Sequence, residues 1–151
     1  MRRFHRPAAF ALALNLFSSF GYFVEAEEDL HVLRHLYASL RPGGTVLLEM
    51  AGKEPLARDF QPRIWHRHAD REEYLLEERT VQDGWRAIET HWIWIRVPER
   101  QVFTWRIRLY SGEELTGLLS EAGFSAVRLY GSLAETPYDQ TAQRLVAVAN
   151  K

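Results

Sequence analysis

The stretch Leu40–Met50 reads LRPGGTVLLEM, and its reading decides the fold. Pro42 cannot continue a helix, and Gly43-Gly44 accept the positive φ that closes one. TVLLEM then runs apolar on both faces, as a strand covered by two layers does. Upstream, from about Glu25 to Leu40, the residues Leu30, Leu33, Leu36, Tyr37 and Leu40 recur at spacings of three and four. That spacing predicts an amphipathic helix, with Glu27, Glu28 and Asp29 in its first turn, where the helix dipole favours acids, and on faces away from the apolar stripe. Before it, FALALNLF (Phe10–Phe17) is short and apolar on both sides, which fits a buried strand as well as a helix segment, until Ser18, Ser19 and Gly21 break it. Strand, helix, Pro-Gly-Gly turn and strand make a right-handed crossover between parallel strands.

Beyond Ala51 the character changes. Glu73 to Gln82, Arg86 to Val97 and Val102 to Tyr110 read as three extended segments, separated by Asp83-Gly84 and by Pro98-Glu99-Arg100, so two hairpins are expected. In the third segment Phe103, Trp105, Ile107 and Leu109 share one face, while Thr104, Arg106, Arg108 and Tyr110 share the other. Ser111 followed three residues later by Glu114 is a capping box opening a helix with Leu115, Leu118, Leu119 and Ala122, closed by Gly123. FSAVRLYG and QRLVAVAN follow as two last strands around a loop that holds Pro137-Tyr138-Asp139.

Bulk composition narrows the function classes. The chain has 151 residues, a length that suits one domain with a modest core. Nineteen basic against twenty acidic residues leave a formal charge of -1, so no global field attracts nucleic acid or an anionic membrane. No run reaches the roughly 20 apolar residues of a membrane span. Without cysteine there is no disulfide framework, thiolate metal site or cysteine nucleophile, which agrees with a cytoplasmic location. A competing reading takes MRRFHRP and AAFALALNLF as the start of an export signal with Val24-Glu25-Ala26 as its cleavage site; Asn15 and the aromatic SSFGYF argue against it.

Taken in order, NLFSSFGYF, the acidic helix, LRPGG, a strand, a hairpin-rich insertion, RLYSGEELTGLLSEAGF and the late PYD…RLVAVANK resemble the C-terminal portion of class I S-adenosylmethionine-dependent methyltransferases. The resemblance covers nearly the whole chain. It implies an α/β fold: a partial Rossmann-like methyltransferase sheet, its fourth to seventh strands, within a single truncated domain 1–151 that carries an antiparallel β insertion over residues 52–110. It implies S-adenosylmethionine as cofactor and a small-molecule acceptor. The family's glycine-rich cofactor loop and the acid ending its second strand have no counterpart here. Ala11 stands where the family commonly has Asp.

By the same resemblance Asn15, Leu16 and Phe17 would contact the cofactor, together with Met1 and Arg2, which look like the residues after the family's adenine-side acid. Ser18, Ser19 and Tyr22 would meet the acceptor, the aromatics lying near the cationic sulfonium. Read from the residues alone, the same segment is a polar turn with Phe17, Phe20 and Phe23 in the core. Arg106, Arg108 and Tyr110 either grip a polar acceptor from a lid or form a solvated face. No catalytic residue is assigned; Tyr22, His66 and His68 are the candidates for a base. His66, His68 and Asp70 could share a strand face as metal ligands, but no further ligand is placed, so a loop without metal is expected. His31 and His35 read as a wet helix face.

The absent strands would leave FALALNLF as a flat, apolar edge, a template for pairing. The expected function is therefore methyl transfer that the chain cannot perform alone, its edge pairing with a complementing N-terminal half or a second copy. The alternative is a non-catalytic binding or assembly module that self-associates through that edge.

Overall fold

The computed structural model describes residues 4–151. Two four-stranded sheets organise it. The central sheet is built from β1 (Phe10–Asn15), β2 (Leu40–Met50), β7 (Ser125–Tyr130) and β8 (Leu145–Asn150), in the order β1-β2-β8-β7. β1 and β2 are parallel and joined through α1 (Ala26–Ser39), while β8 runs antiparallel to both of its neighbours. The second sheet is a continuous antiparallel meander of β3 (Arg63–His68), β4 (Glu73–Gln82), β5 (Ala87–Arg96) and β6 (Glu99–Arg108). A short α2 (Lys53–Arg58) leads into it, and α3 (Gly112–Glu121) returns the chain to the central sheet. The result is a mixed α/β fold with an antiparallel β unit set between β2 and α3.

The core lies on one side of the central sheet. Val46, Leu48, Leu145 and Ala147 face Leu33 of α1 and Leu115 and Leu119 of α3, all within one buried cluster. The helices form because each presents an apolar stripe to this cluster. In α3 the capping box is complete: Ser111 Oγ accepts from the Glu114 N–H at 3.1 Å, and the Glu114 carboxylate accepts from the Ser111 N–H at 2.8 Å.

Several details depart from the sequence expectation. α1 ends at Ser39, and Leu40 to Gly44 already run extended as the start of β2. Gly43 has φ 75° and its N–H bonds to the Lys151 carbonyl, so the Pro-Gly-Gly turn survives as an irregular strand start held by the chain's last residue. Residues around His66 and His68 form the edge strand β3 rather than a loop, because Ile64 and its neighbours complete the ladder on β4. Asp29, expected on a face away from the apolar stripe of α1, is fully buried.

β1 is an edge strand, paired only with β2 among the described residues. A register shift between Phe10 and Leu12 lets Phe10 and Ala13, three residues apart, both pack on the core side. Leu12 and Leu14 point the other way and remain 52% and 56% exposed. Leu14 pairs with Leu47 and Leu47 with Val148, so the second face of the central sheet carries an apolar row that no helix among the described residues covers over β1.

Both α3 contributions can be measured. Leu119→Ala should lower the unfolding free energy by about 2–5 kcal/mol, since it opens a cavity in a fully buried site, and Ser111→Ala by about 1 kcal/mol through loss of the cap. Urea midpoints read both; an unchanged midpoint for Leu119→Ala would mean that α3 does not pack as described.

Candidate functional site

β1 and β2 end side by side, and the chain leaving β1 turns sharply across them. Phe17 and Ser18 both occupy the left-handed region, with φ 56° and 55°, a conformation that costs a non-glycine residue of order 1 kcal/mol or more. Three groups hold it there. The Glu49 carboxylate at the end of β2 accepts from the Phe17 N–H at 2.6 Å, and the Glu49 carbonyl accepts from the Ser18 N–H at 3.1 Å. Ser18 Oγ accepts from the Ala51 N–H at 2.9 Å and from Arg144 Nη2 at 2.8 Å. Arg144 Nε also donates to Glu49, which closes a buried carboxylate–guanidinium latch under the turn. The latch leaves the Phe17 ring 86% exposed at the carboxyl ends of two parallel strands, where open α/β sheets hold their ligands.

The next segment is fixed by a second buried carboxylate. Asp29 Oδ2 accepts from Tyr110 Oη at 2.7 Å and from Arg108 Nη1, and Arg108 Nη2 donates to the Val24 carbonyl at 2.8 Å. Burial pushes the Asp29 carboxyl up against the pull of these two donors. The Tyr110 hydroxyl is raised by burial and by the bond it gives to Asp29. The Arg108 N–H meets the Gly21 carbonyl at 2.7 Å, and a Cβ on Gly21, whose φ is 93°, would lie 2.6 Å from the Arg108 carbonyl oxygen. Only glycine allows this approach of the loop to β6.

These ties turn one face of the second sheet toward the loop. Ser18 and Tyr22 meet Glu77, Trp92, Trp105 and Leu109 around a cleft of about 210 Å³. The lining face of β6 is thus the apolar one, with Trp105 and Ile107, and not the face of Arg106 and Arg108. Arg106 pairs with Asp83 at 2.7 Å, while Arg108 and the buried Tyr110 are committed to Asp29. Those three residues line a separate cleft with Lys53, Arg86 and Glu114.

Of the cofactor-side residues expected from the sequence, Asn15 is buried at the end of β1, Leu16 is half-buried and Phe17 is open, whereas Met1 and Arg2 lie outside the described residues. Ser19 bonds back to the Leu16 carbonyl at 2.6 Å and is exposed. His66 and His68 sit on exposed β3 around another cleft with Trp94, and His66 Nε2 lies 3.5 Å from Oε1 of Glu77, a wall residue of the Ser18–Tyr22 cleft. The described residues hold no group of three or more metal-ligating side chains.

Sequence reasoning missed Asp29, Glu49, Glu77 and Arg144. Glu49 left a signal, a lone acid in the apolar run TVLLEM. Asp29 and Arg144 left none, since their partners lie far along the chain, and Glu77, paired with Arg79 two residues on, gave no sign of its place beside the tryptophans.

The Asp29 cluster makes Arg108 a residue of the fold. Arg108→Met should destabilise the chain by about 3–5 kcal/mol, because it strands a buried carboxylate. A urea midpoint close to that of the parent chain would instead place Arg108 among ligand contacts.

No family model matches the chain, and no curated protein matches it by sequence. Solved structures do. The CcbJ methyltransferase of Streptomyces caelestis superposes with a TM-score of 0.79 at 17% identity, covering 93% of this chain and 57% of that one. An S-adenosylmethionine-dependent methyltransferase of Clostridium acetobutylicum gives 0.82 at 12% identity, over 99% of this chain and 61% of its own. The amino pentose methyltransferase CalS10 of Micromonospora echinaspora, solved with S-adenosylmethionine bound, gives 0.66 at 19% identity, over 99% and 61%. The chain spans about three fifths of the length of these structures. Across nearly its whole length it carries the fold of class I S-adenosylmethionine-dependent methyltransferases.

Proposed function

We propose that the chain contributes the acceptor side of an S-adenosylmethionine-dependent methyl transfer to a small molecule. The observation that carries this reading is the Phe17–Ser18 turn: an aromatic ring held open, in a strained conformation, at the carboxyl ends of β1 and β2. The residues present fit one end of such a cofactor, since an exposed aromatic face suits a sulfonium cation. When bound, the cofactor supplies an electrophilic methyl group.

The chain's own residues would act by positioning. Asn15, Leu16 and Phe17 would fix the sulfonium side, while Ser18 and Tyr22 would orient the acceptor in the cleft beneath the second sheet. Holding two reactants in line can be worth an effective concentration of about 10⁵–10⁸ M. A base is needed only if the acceptor atom must lose a proton, and Tyr22, half exposed at the cleft, is closer to that role than His66 or His68.

The reading also assigns the open face. Leu12 and Leu14 would be covered by a complementing N-terminal half or by a second copy pairing along β1, and the chain alone would not hold the cofactor. Their exposure also favours a second reading, an assembly module that joins through this edge without catalysis.

Calorimetric titration with S-adenosylmethionine, with mass measured on the same sample, separates these. The expected outcome is no saturable binding by the isolated chain and a mass above that of the monomer. Micromolar binding by a monomer would overturn the need for a complement. Leu12→Lys with Leu14→Lys should return the protein to monomer with an unchanged circular dichroism spectrum; persistence of the larger species would move the interface elsewhere.

A further inference from the structure

The second sheet has a free edge at β6, which among the described residues pairs with β5 alone. The base of the strand fixes which backbone groups face outward there. The Leu109 N–H donates to the Arg86 carbonyl on the β5 side at 2.9 Å, whereas the Arg108 N–H turns the other way and donates to the Gly21 carbonyl at 2.7 Å. Antiparallel ladders alternate residue by residue, so the N–H and C=O groups of Arg100, Val102 and Thr104 point off the sheet. Gly21 meets the inner end of this edge, while Arg100 to Thr104 stay exposed.

Such a row is a template for another strand, and its side chains decide which strand it takes. On one face Phe103 is 50% exposed beside Trp105. The other face carries Arg100, Val102, Thr104 and Arg106. From Arg100 to Arg108 the chain has three arginines and no acid. Arg108 is committed to Asp29. Arg106 bonds Asp83 at 2.7 Å, but both side chains are largely in solvent, so the pair is weak and exchangeable. Arg100 has no ion pair among the described residues, and Glu99, its neighbour in sequence, stands on the opposite face across from Arg96.

This pattern works against a second copy and favours an acidic strand. Laid antiparallel on itself about Phe103, β6 would set Arg100 of one copy against Arg106 of the other; laid about Thr104, it would set Arg100 against Arg108. Like charges directly opposite one another are destabilising. A strand with carboxylates facing Arg100 and Arg106 replaces that repulsion with attraction, and its alternate side chains fall on the face of Phe103 and Trp105.

We infer that the outer edge of β6 docks an extended acidic segment of another protein, with two carboxylates six residues apart pairing with Arg100 and Arg106 and apolar side chains between them covering Phe103 and Trp105. The backbone of Val102 and Thr104 supplies the ladder. The inference does not rest on methyl transfer. Trp105 also lines the Ser18–Tyr22 cleft, so a docked strand extends one wall of that cleft.

The test titrates the whole isotope-labelled chain with the peptide acetyl-Glu-Phe-Thr-Val-Thr-Phe-Glu-amide, whose sequence reads the same in either direction. Saturable shifts of the Val102 and Thr104 amide signals are expected, with hydrogen exchange at both slowed by about tenfold or more. Arg100→Glu, at an exposed position, should leave the circular dichroism spectrum unchanged and weaken the peptide by about tenfold, the loss of one charge-assisted bond. The same variant should bind the peptide in which lysine replaces both glutamates. N-methylation of the peptide's two threonines, or of its valine and phenylalanines, should abolish binding for one set only, because alternate N–H groups of a strand face opposite sides.

Equal binding of the acidic and lysine peptides by the parent chain would overturn the charge argument, and that comparison needs no variant to fold. Tolerance of both methylated sets would overturn the added strand. Protection of Val102 and Thr104 that rises with protein concentration, without peptide, would show a second copy on this edge and overturn the choice of partner.

Discussion

Asp29 is the constraint on which the arrangement of the two sheets depends. Its carboxylate has no exposed surface, yet it receives the Arg108 guanidinium and the Tyr110 hydroxyl from the end of the second sheet. A buried charge of this kind adds little net stability against a well-packed apolar substitute, but it penalises every arrangement in which its partners are absent. Helix α1, the 20–24 loop and β6 therefore have one mutual position. Gly21 allows the loop to close against Arg108, and Lys53 closes the other side, its N–H reaching the Tyr110 carbonyl at 2.9 Å and its ammonium the Glu114 carboxylate. The face that β6 turns toward Ser18 follows from this clamp rather than from any preference of the strand itself.

Much of the fold was legible because local rules operated alone. Ser111 and Glu114 form a complete cap with no help from elsewhere, and the spacing of Leu30, Leu33 and Leu36 makes an apolar stripe whatever covers it. The first hairpin turn sits at Asp83-Gly84 as expected, while the second sits at Val97-Pro98, with Glu99 and Arg100 of the expected Pro98-Glu99-Arg100 break already paired in β6. β3 was less legible, since RIWHRH reads as a polar loop until Glu77 and its neighbours offer a ladder. The site was legible at its loop and illegible at its walls. Alternation divided β6 into two faces without saying which one would meet the loop. Arg106, Arg108 and Tyr110 looked free because Asp83 and Asp29 are distant in sequence. The carboxylates Glu49 and Glu77 gain meaning only when Arg144 and the two tryptophans are brought beside them.

The central sheet is unequally covered, and the inequality coincides with the site. On the core side, α1 and α3 bury Val46, Leu48, Leu145 and Ala147 completely or nearly so. On the other side Leu12 and Leu14 stay open along the edge strand, and the exposed ring of Phe17 continues the same strand beyond its end. One covering element could thus bury the apolar row and complete the wall around Phe17. Hydrophobic burial of two leucines, each worth about 1.5–3 kcal/mol when fully covered, would favour docking of that element and closure of the wall around Phe17 in a single event.

Strain at Phe17 and Ser18 has meaning only in relation to what holds it. Two successive left-handed residues would relax in an unsupported loop, and relaxation would withdraw the Phe17 ring from the strand ends. Glu49 and Arg144 oppose this from β2 and from the approach to β8, which are neighbours in the sheet, so the support comes from the rigid core. The second sheet, by contrast, is tied to that core through the Asp29 clamp and the α2 contacts at its base, while β3 and the outer hairpin end stay exposed. A cleft with one wall anchored in the core and the other on a sheet held at one end combines a fixed side with a side free to adjust. This division of labour follows from where the two buried carboxylates lie: Glu49 stiffens the turn, and Asp29 sets the pivot.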